Sequence, residues 1–309
     1  MQDGATPAAH AAGQSPEAHK AATRGFLFAL SAYLMWGVLP LYMKAVAHIP
    51  PVEVVAYRVV WSVPLAGALL LLLGRTADVR AALRTPRVLA MAALTAAIIS
   101  VNWGIYVWAI AVDRAVETAL GYYINPLVTV LLGALLLGER FDRVQLVAVG
   151  LAAAAVLLLT LESGGVPWVS LALAFTFAAY GYLRKTLPIG PSQGFFLEVL
   201  LLTPPSLAWI VWIEATGQGH LVGGSGVDTL LLVAAGPATA IPLILYGFGA
   251  KMLRISTIGL MQYIAPTMMA LLAVFSFGEP FGPDRVVAFG LIWVALALYT
   301  WSVLFRRKA

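Results

Sequence analysis

Long apolar segments make up most of this sequence, and a few polar side chains interrupt them at helical spacing. Asn102 and Tyr106 stand four residues apart in one such segment, so both lie on one face of a helix. A polar group in an apolar segment must find a hydrogen-bond partner or face a cavity. The pair is therefore equally suited to bind a solute or to form an interhelical hydrogen bond, worth about 1 kcal/mol.

A second polar group occurs twice in the chain. Tyr-Ile-Asn-Pro at residues 123–126 matches Tyr-Ile-Ala-Pro at residues 263–266, and an amide, Gln262, precedes the second copy. Trp36 and Tyr180 occupy corresponding positions of two further segments, where solute binding and structural packing explain them equally well. The candidate residues of a substrate cavity are Trp36, Asn102, Tyr106, Tyr123, Asn125, Tyr180, Gln262 and Tyr263.

Several prolines lie inside the apolar segments rather than between them. Because proline lacks a backbone N–H and leaves a carbonyl without its partner, it can break or kink a helix and expose polar backbone to a cavity. Kinks that serve packing alone are the alternative. The candidate helix-breaking positions are Pro40, Pro126, Pro242 and Pro266.

Ionisable side chains are rare within the apolar segments, where each needs a partner or water. Glu53 and Arg58 are five residues apart and do not share a helix face, so we expect their partners on other helices, with Lys44 as one candidate for Glu53. Glu198 repeats the position of Glu53 in the second half of the chain. Structural ion pairs are the favoured interpretation of these residues, and proton coupling is the alternative.

The sequence contains no motif for bond-making chemistry. It has no P-loop, no His-Glu-x-x-His motif and no Asp-rich metal motif, and its four histidines have no ligand spacing. Cysteine is absent, which excludes disulfides and thiolate metal sites. We therefore expect no enzyme activity, no catalytic residue, no metal site and no organic cofactor.

Composition indicates which elements position the polar residues. Of the 309 residues, 61% are hydrophobic and 11% are charged, whereas about a quarter of the residues of a soluble domain are charged. A helix needs about 20 apolar residues to cross a bilayer, and runs of that length predict an all-α integral membrane protein with ten transmembrane helices. The predicted spans are 26–46, 52–73, 87–111, 115–137, 144–161, 166–185, 193–213, 228–249, 255–277 and 285–305.

The basic residues predict the orientation of these spans. With a cytoplasmic N-terminus, all but four of the 19 lysines and arginines fall in cytoplasmic segments, the exceptions being Lys44, Arg58, Arg114 and Arg285. We therefore expect a multi-pass protein of the bacterial plasma (inner) membrane with both termini in the cytoplasm. A nucleic-acid partner is not expected, because there is no basic domain to bind one.

An internal repeat appears when the chain is shifted against itself by 140 residues. Beyond the tyrosine-proline segments, Gly138-Glu139 aligns with Gly278-Glu279 and Tyr106 aligns with Tyr246. Because a unit of five helices is odd, its second copy enters the membrane from the opposite side, and inverted repeats are typical of secondary carriers. Glu139 and Glu279 are expected to cap the helices that follow them, since a carboxylate suits the positive end of a helix.

The repeat divides the chain near residues 162–166. We predict a disordered cytoplasmic tail at residues 1–22, since this segment has too little apolar surface to offset the entropy of ordering. A first five-helix repeat at 23–163 and a second at 164–305 follow, and residues 306–309 form a basic cytoplasmic tail.

Several motifs are similar to those of a known family. They include the pattern from Tyr33 to Lys44, the segment from Leu120 to Leu127 and the segment from Gln262 to Thr267. On these motifs the chain resembles the EamA branch of the drug/metabolite transporter superfamily. The resemblance implies a ten-helix carrier whose central cavity is lined by helices one, three, four, six, eight and nine. Ala56-Tyr57-Arg58 departs from the family pattern, in which a histidine precedes the arginine.

We expect a secondary-active transporter of small metabolites or drugs that works by alternating access. A membrane-embedded regulatory or assembly protein without transport activity is the alternative. The expected partners are a small-molecule substrate and the lipid bilayer, and a coupling proton is a further candidate. We expect the two tyrosine-proline segments to contact the solute, and Glu53, Arg58 and Glu198 to hold the bundle together.

Overall fold

A computed structural model describes residues 16–137, 143–162, 165–253 and 261–305. The regular structure in these ranges is helical throughout, as the apolar runs predict. In chain order the helices are α1 (Pro16–Ala45), α2 (Pro51–Leu72), α3 (Thr76–Leu83), α4 (Pro86–Ala111), α5 (Ala115–Leu137), α6 (Arg143–Glu162), α7 (Trp168–Thr186), α8 (Pro191–Ala215), α9 (Gly226–Met252), α10 (Ile264–Leu271) and α11 (Pro283–Phe305).

Seven of the described helices are long and apolar enough to cross a membrane. Their outward surfaces stay apolar, and Leu72 of α2 and Leu161 of α6 are 85% and 71% exposed. A soluble protein would bury such side chains, whereas lipid solvates them. These features confirm the prediction of an all-α membrane protein.

The helix boundaries depart from the predicted spans in two places. Helix α1 begins at Pro16, so that residues 16–22 of the predicted disordered tail are helical. The short helix α3 was not predicted, because its eight residues are far fewer than a membrane span needs and include Asp78 and Arg80. Glu139 and residues 254–260 lie outside the described residues.

The prolines have unequal effects on the helices. Pro40, Pro126 and Pro242 lie inside α1, α5 and α9, which continue through them, so the helices do not break at these three positions and a kink there stays a prediction. At Pro266 the arrangement differs, because a turn at residues 262–263 interrupts the segment and α10 begins at Ile264, so that this proline lies in the first turn of a helix. Proline is tolerated in the first turn of a helix because the N–H it lacks has no helical partner there. Helix α10 continues as a π-helical turn, Leu272–Ser276.

The packing of the bundle interleaves the two halves of the sequence. Helix α1 packs against α9 and α10, and α7 packs against α4 and α5. Helix α2 contacts α8 and α9, helix α4 contacts α8, and two further interfaces join α5 to α10 and α6 to α11. Glycine permits the closest of these approaches: a Cβ on Gly236 of α9 would lie 2.3 Å from the backbone carbon of Trp61 on α2.

Candidate functional site

Arg58 of α2 lies at the centre of the bundle and is only 4% exposed. Its Nε donates a hydrogen bond to Oγ1 of Thr239 on α9 at 2.9 Å, and its guanidinium carbon lies 4.8 Å from the ring centroid of Trp103 on α4. Both partners are uncharged. Within the described residues the side chain of Arg58 forms no ion pair.

Three tyrosines from three helices surround this guanidinium. Tyr42 of α1, Tyr106 of α4 and Tyr122 of α5 lie close enough to interact electrostatically with it. The rings of Tyr106 and Tyr122 are 6.0 Å apart between centroids. We call the six residues Tyr42, Arg58, Trp103, Tyr106, Tyr122 and Thr239 the central cluster.

Several polar atoms of this region have no hydrogen-bond partner. In the part of the chain that the structure describes, they include Nη1 of Arg58, the Tyr106 hydroxyl and Nε1 of Trp61, all of them buried. The hydroxyls of Tyr42 and Tyr122 do have acceptors, namely the Leu231 carbonyl at 2.6 Å and Oδ1 of Asn102 at 3.4 Å. The central cluster therefore holds unused donors beside a buried cation.

The two predicted asparagines form interhelical hydrogen bonds to α7. Nδ2 of Asn102 donates to Oγ1 of Thr176 at 2.8 Å and to the Leu173 carbonyl at 3.2 Å. Nδ2 of Asn125 donates to the Ala174 carbonyl at 3.1 Å. Both amides thus fasten α7 to the helices that carry them, and Asn102 also connects α7 to the central cluster through Tyr122.

The duplicated tyrosine-proline segments contact each other through α5 and α10. The Tyr123 hydroxyl is hydrogen-bonded to Oγ1 of Thr267, one turn beyond Tyr263. The ring of Tyr123 packs edge-on against Phe289 of α11, with 5.8 Å between centroids. Tyr263 is half-buried and interacts with Gln262. Of the predicted cavity residues, the structure places Tyr106 alone in the central cluster.

The two predicted aromatic positions differ in their contacts. Trp36 packs against Tyr33 and against Tyr246 of α9, with centroid distances of 5.5 and 5.6 Å. Tyr180 instead donates a hydrogen bond from its hydroxyl to Oε2 of Glu198 at 3.0 Å. The first residue is part of an aromatic interface between α1 and α9, and the second holds a carboxylate.

Glu198 and Glu53 are both buried and both partnered. Glu198 accepts a hydrogen bond from Oγ1 of Thr95 at 2.7 Å and lies 3.5 Å from Nη1 of Arg184, in addition to its bond with Tyr180. Glu53 accepts from the backbone N–H of His220 and contacts its Nδ1, both at 2.8 Å. The partners of Glu198 lie on α4 and α7, whereas His220 lies in the connection between α8 and α9 rather than on a helix as predicted.

Lys44 was a predicted candidate for the partner of Glu53, but the structure does not pair the two residues. Lys44 is paired with Asp113 in the connection between α4 and α5. Position explains the difference: Lys44 lies in the last turn of α1, whereas Glu53 begins α2 and points to the segment between α8 and α9.

Glu279 caps a helix other than the predicted one. Its carboxylate accepts hydrogen bonds from the backbone N–H groups of Ala115 and Val116, at 2.6 and 2.9 Å, and so caps α5 rather than α11. The carboxylate still occupies the positive end of a helix. Burial raises the pKa of Glu279.

Several connections share one end of the bundle, which we call the α1–α2 end. They are the α1–α2 connection (46–50), the α4–α5 connection (112–114), the α8–α9 connection (216–225) and residues 277–282.

Most of the central cluster could not be found from sequence. Tyr42, Trp103 and Tyr122 are aromatic residues in apolar helices, where packing is the usual role. Thr239 donates to the Ala235 carbonyl of its own helix, which is common for threonine in a membrane helix. The usable signal was Arg58 itself, a cation that no nearby carboxylate in the sequence could neutralise.

The described part of the bundle shows no metal centre. No group of three or more histidine, aspartate or glutamate side chains in it is arranged to hold an ion. The chemistry that the central cluster offers is reversible binding through hydrogen bonds, charge and aromatic faces.

Comparison with known proteins indicates the class of protein to which this chain belongs. The profile of the EamA-like transporter family matches residues 23–161. A protein of Vibrio cholerae described as an uncharacterized transporter is 40% identical over 90% of this chain and 92% of its own length. Together with the membrane-length helices, these findings define a membrane transporter of the drug/metabolite type.

A second relative identifies the family within this class of transporter. Protein RarD of Streptomyces exfoliatus is 44% identical over 91% of this chain and 89% of its own length. The chain belongs to the RarD proteins of the EamA family. A crystal structure of a protein 23% identical to this chain superimposes with a TM-score of 0.59 over 94% of this chain and 98% of that one, a likeness of fold alone.

Proposed function

We propose that this protein is a secondary-active carrier of small metabolites or drugs that works by alternating access. The proposal includes ten crossings, with a first five-helix repeat at residues 23–163 and an inverted second repeat at 164–305. A small-molecule solute and the lipid bilayer are its partners. A membrane-embedded regulatory or assembly protein is the competing class.

The observation that carries the proposal is the symmetry of the packing. Exchanging α1 with α7, α2 with α8, α4 with α9, α5 with α10 and α6 with α11 turns each helix interface named in the fold description into another that is present. The contact of α1 with α9 becomes that of α7 with α4, and the contact of α1 with α10 becomes that of α7 with α5. Such exchange symmetry supports inverted repeats, which can swap shapes and so open one central site to each side in turn.

The distribution of basic residues supports a cytoplasmic location for both termini in a bacterial inner membrane. The α1–α2 end is then external. Contacts that join elements across this end include the pair of Lys44 with Asp113 and the cap that Glu279 places on α5. These contacts support an interpretation of this conformation as one closed to the outside.

Within the carrier we propose the central cluster as the solute site. It lies between α1, α2, α4, α5 and α9, and it combines unused hydrogen-bond donors with aromatic faces. Asn102 and Asn125 then act as positioning residues that fasten α7, and Tyr123 with Thr267 joins the two repeats. Gln262 and Tyr263 lie near that junction.

Flux through reconstituted vesicles tests the proposal. Purified protein in liposomes should give saturable uptake or counterflow for at least one member of a labelled library of amphipathic metabolites, organic acids and amino acids. Empty liposomes are the control. Lack of saturable flux across the whole library, with correctly folded protein in the vesicles, would favour the regulatory or assembly class.

A further inference from the structure

We infer that the carried solute has an anionic oxygen group, a carboxylate, and that Arg58 binds it. The inference rests on the proposed transport function and names the class of solute. Its starting point is the condition of the Arg58 guanidinium, which is buried within the bundle and has only an uncharged hydroxyl and an aromatic ring as described partners. A charge in such surroundings is unfavourable unless an opposite charge joins it.

The carboxylates nearest to Arg58 in sequence, or equivalent to those in the second repeat, already have hydrogen-bond partners. Glu53 is held by His220, and Glu198 by Arg184, Thr95 and Tyr180. Glu214, at the far end of α8, accepts from the backbone N–H of Leu221 and from the Tyr57 hydroxyl. None of these can pair with Arg58 without leaving its own partners.

The unused groups around Arg58 point to the same ligand chemistry. Nη1 of Arg58 and the hydroxyl of Tyr106 are donors without acceptors in the described bundle, and Trp61, one turn along α2, adds an indole N–H in the same condition. A carboxylate offers about four acceptor sites and no donor. Arginine can also bind it through two parallel hydrogen bonds.

The internal repeat indicates that the cation is not needed to build the bundle. In the alignment of the two repeats that pairs Glu53 with Glu198, Thr203 of α8 is the residue equivalent to Arg58. Thr203 satisfies its hydroxyl on its own helix, at 2.6 Å from the Val199 carbonyl. The carboxylate position is therefore kept in both halves, while the buried cation occurs in one, as expected for a ligand-binding group rather than a packing element.

The aromatic residues define the rest of the solute. Trp103 covers one face of the guanidinium, and Tyr42, Tyr106 and Tyr122 approach it from three helices. A flat apolar or aromatic body beside the carboxylate would pack against these rings. We therefore assign small aromatic or similarly flat carboxylates to this site.

Thermal unfolding of purified protein tests the assignment without any transport measurement. The probes are matched pairs, benzoate with benzamide and phenylacetate with phenylacetamide, at constant ionic strength. A saturating carboxylate should raise Tm by ~2–4 °C, and its amide should not. Arg58→Gln should weaken carboxylate binding by at least about 10-fold, since it removes a charge-assisted hydrogen bond. Arg80→Gln, on the exposed helix α3, is the matched control and should bind as wild type does.

The outcomes separate this inference from the proposed function. Equal stabilisation of wild type by acids and amides, or unchanged preference for acids in Arg58→Gln, would overturn the role of Arg58 even if vesicles show flux of neutral solutes. If Arg58→Gln does not fold, the role of Arg58 is still tested by the comparison of acids with amides in wild type and by the variant Tyr106→Phe. That variant keeps the ring, and it should fold normally and lose part of the preference for acids. Failure of all flux with retained preference for acids would instead contradict transport and leave the anion site standing.

Discussion

Removing a buried carboxylate leaves its hydrogen-bond donors without an acceptor. Glu53 is almost fully buried and receives two contacts from His220. We expect Glu53→Ala to lower the free energy of unfolding by about 1–3 kcal/mol, because the backbone N–H of His220 loses its acceptor. Glu117→Ala is the control, because its pair with Arg114 lies within one turn and is partly solvated, and we expect it to change stability by less than about 1 kcal/mol. Fluorescence-detected size exclusion after a heat series measures both.

Glu198 separates the structural role of the carboxylates from proton coupling. We expect Glu198→Gln to reduce the yield of folded protein, because the pair with Arg184 loses its negative member. Flux per folded molecule should keep its dependence on pH. Normal folding of Glu198→Gln and Glu53→Gln with loss of only the pH-dependent flux would show that the carboxylates carry the coupling proton.

The residue types could be predicted from sequence, but their partners could not. Spacing predicted that Glu53 and Arg58 lie on different faces of α2 and find partners on other helices. Thr239 of α9 is such a partner for Arg58, whereas the partner of Glu53 lies in a connection. The partner of Glu53 is 167 residues away, in a segment with no regular pattern. Local sequence also suggested one role for Arg58 and the two glutamates, whereas burial and hydrogen bonding separate the cation from the carboxylates.

The backbones of α2 and α9 approach each other closely at Gly236, so a larger residue there should destabilise the protein. A Cβ at Gly236 would meet the backbone of Trp61 at 2.3 Å, and backbone atoms cannot rotate away as a side chain could. We expect Gly236→Ala to destabilise the protein by about 1–3 kcal/mol. Gly104→Ala in α4 is the matched control, because nothing lies within 4 Å of its Cβ, and it should be neutral or stabilising by up to about 1 kcal/mol. Comparable heat stability of the two variants would contradict the packing of α2 on α9.

Helix prediction worked best where apolar length alone decides the outcome. Helices α2, α4 and α5 begin and end within one residue of the predicted spans. It missed α3, which is too short to span a bilayer, and it does not distinguish a kink from a break at the internal prolines, where neighbouring helices and remaining backbone bonds keep α1, α5 and α9 continuous. Only Pro266, in the first turn of its helix, lies beside an interruption.

Orientation of the whole bundle is testable with reporter fusions. A phosphatase or fluorescent reporter placed after residue 80 or 252 should report the cytoplasm, and one placed after residue 113, 164 or 220 should report the outside. The reason is the excess of lysine and arginine in the segments that we assign to the cytoplasm. A cytoplasmic signal at residue 220 would remove the inverted second repeat.

Reversible closure of the α1–α2 end tests alternating access most directly. The chain has no cysteine, so a Lys44→Cys and Asp113→Cys double variant offers one pair of thiols to a bifunctional methanethiosulfonate cross-linker. The account predicts that cross-linking in proteoliposomes stops flux of a solute identified in the vesicle screen. Reduction should restore that flux, and either single cysteine variant should be unaffected. Undiminished flux through fully cross-linked protein would show that this end does not open during transport, and would contradict the account.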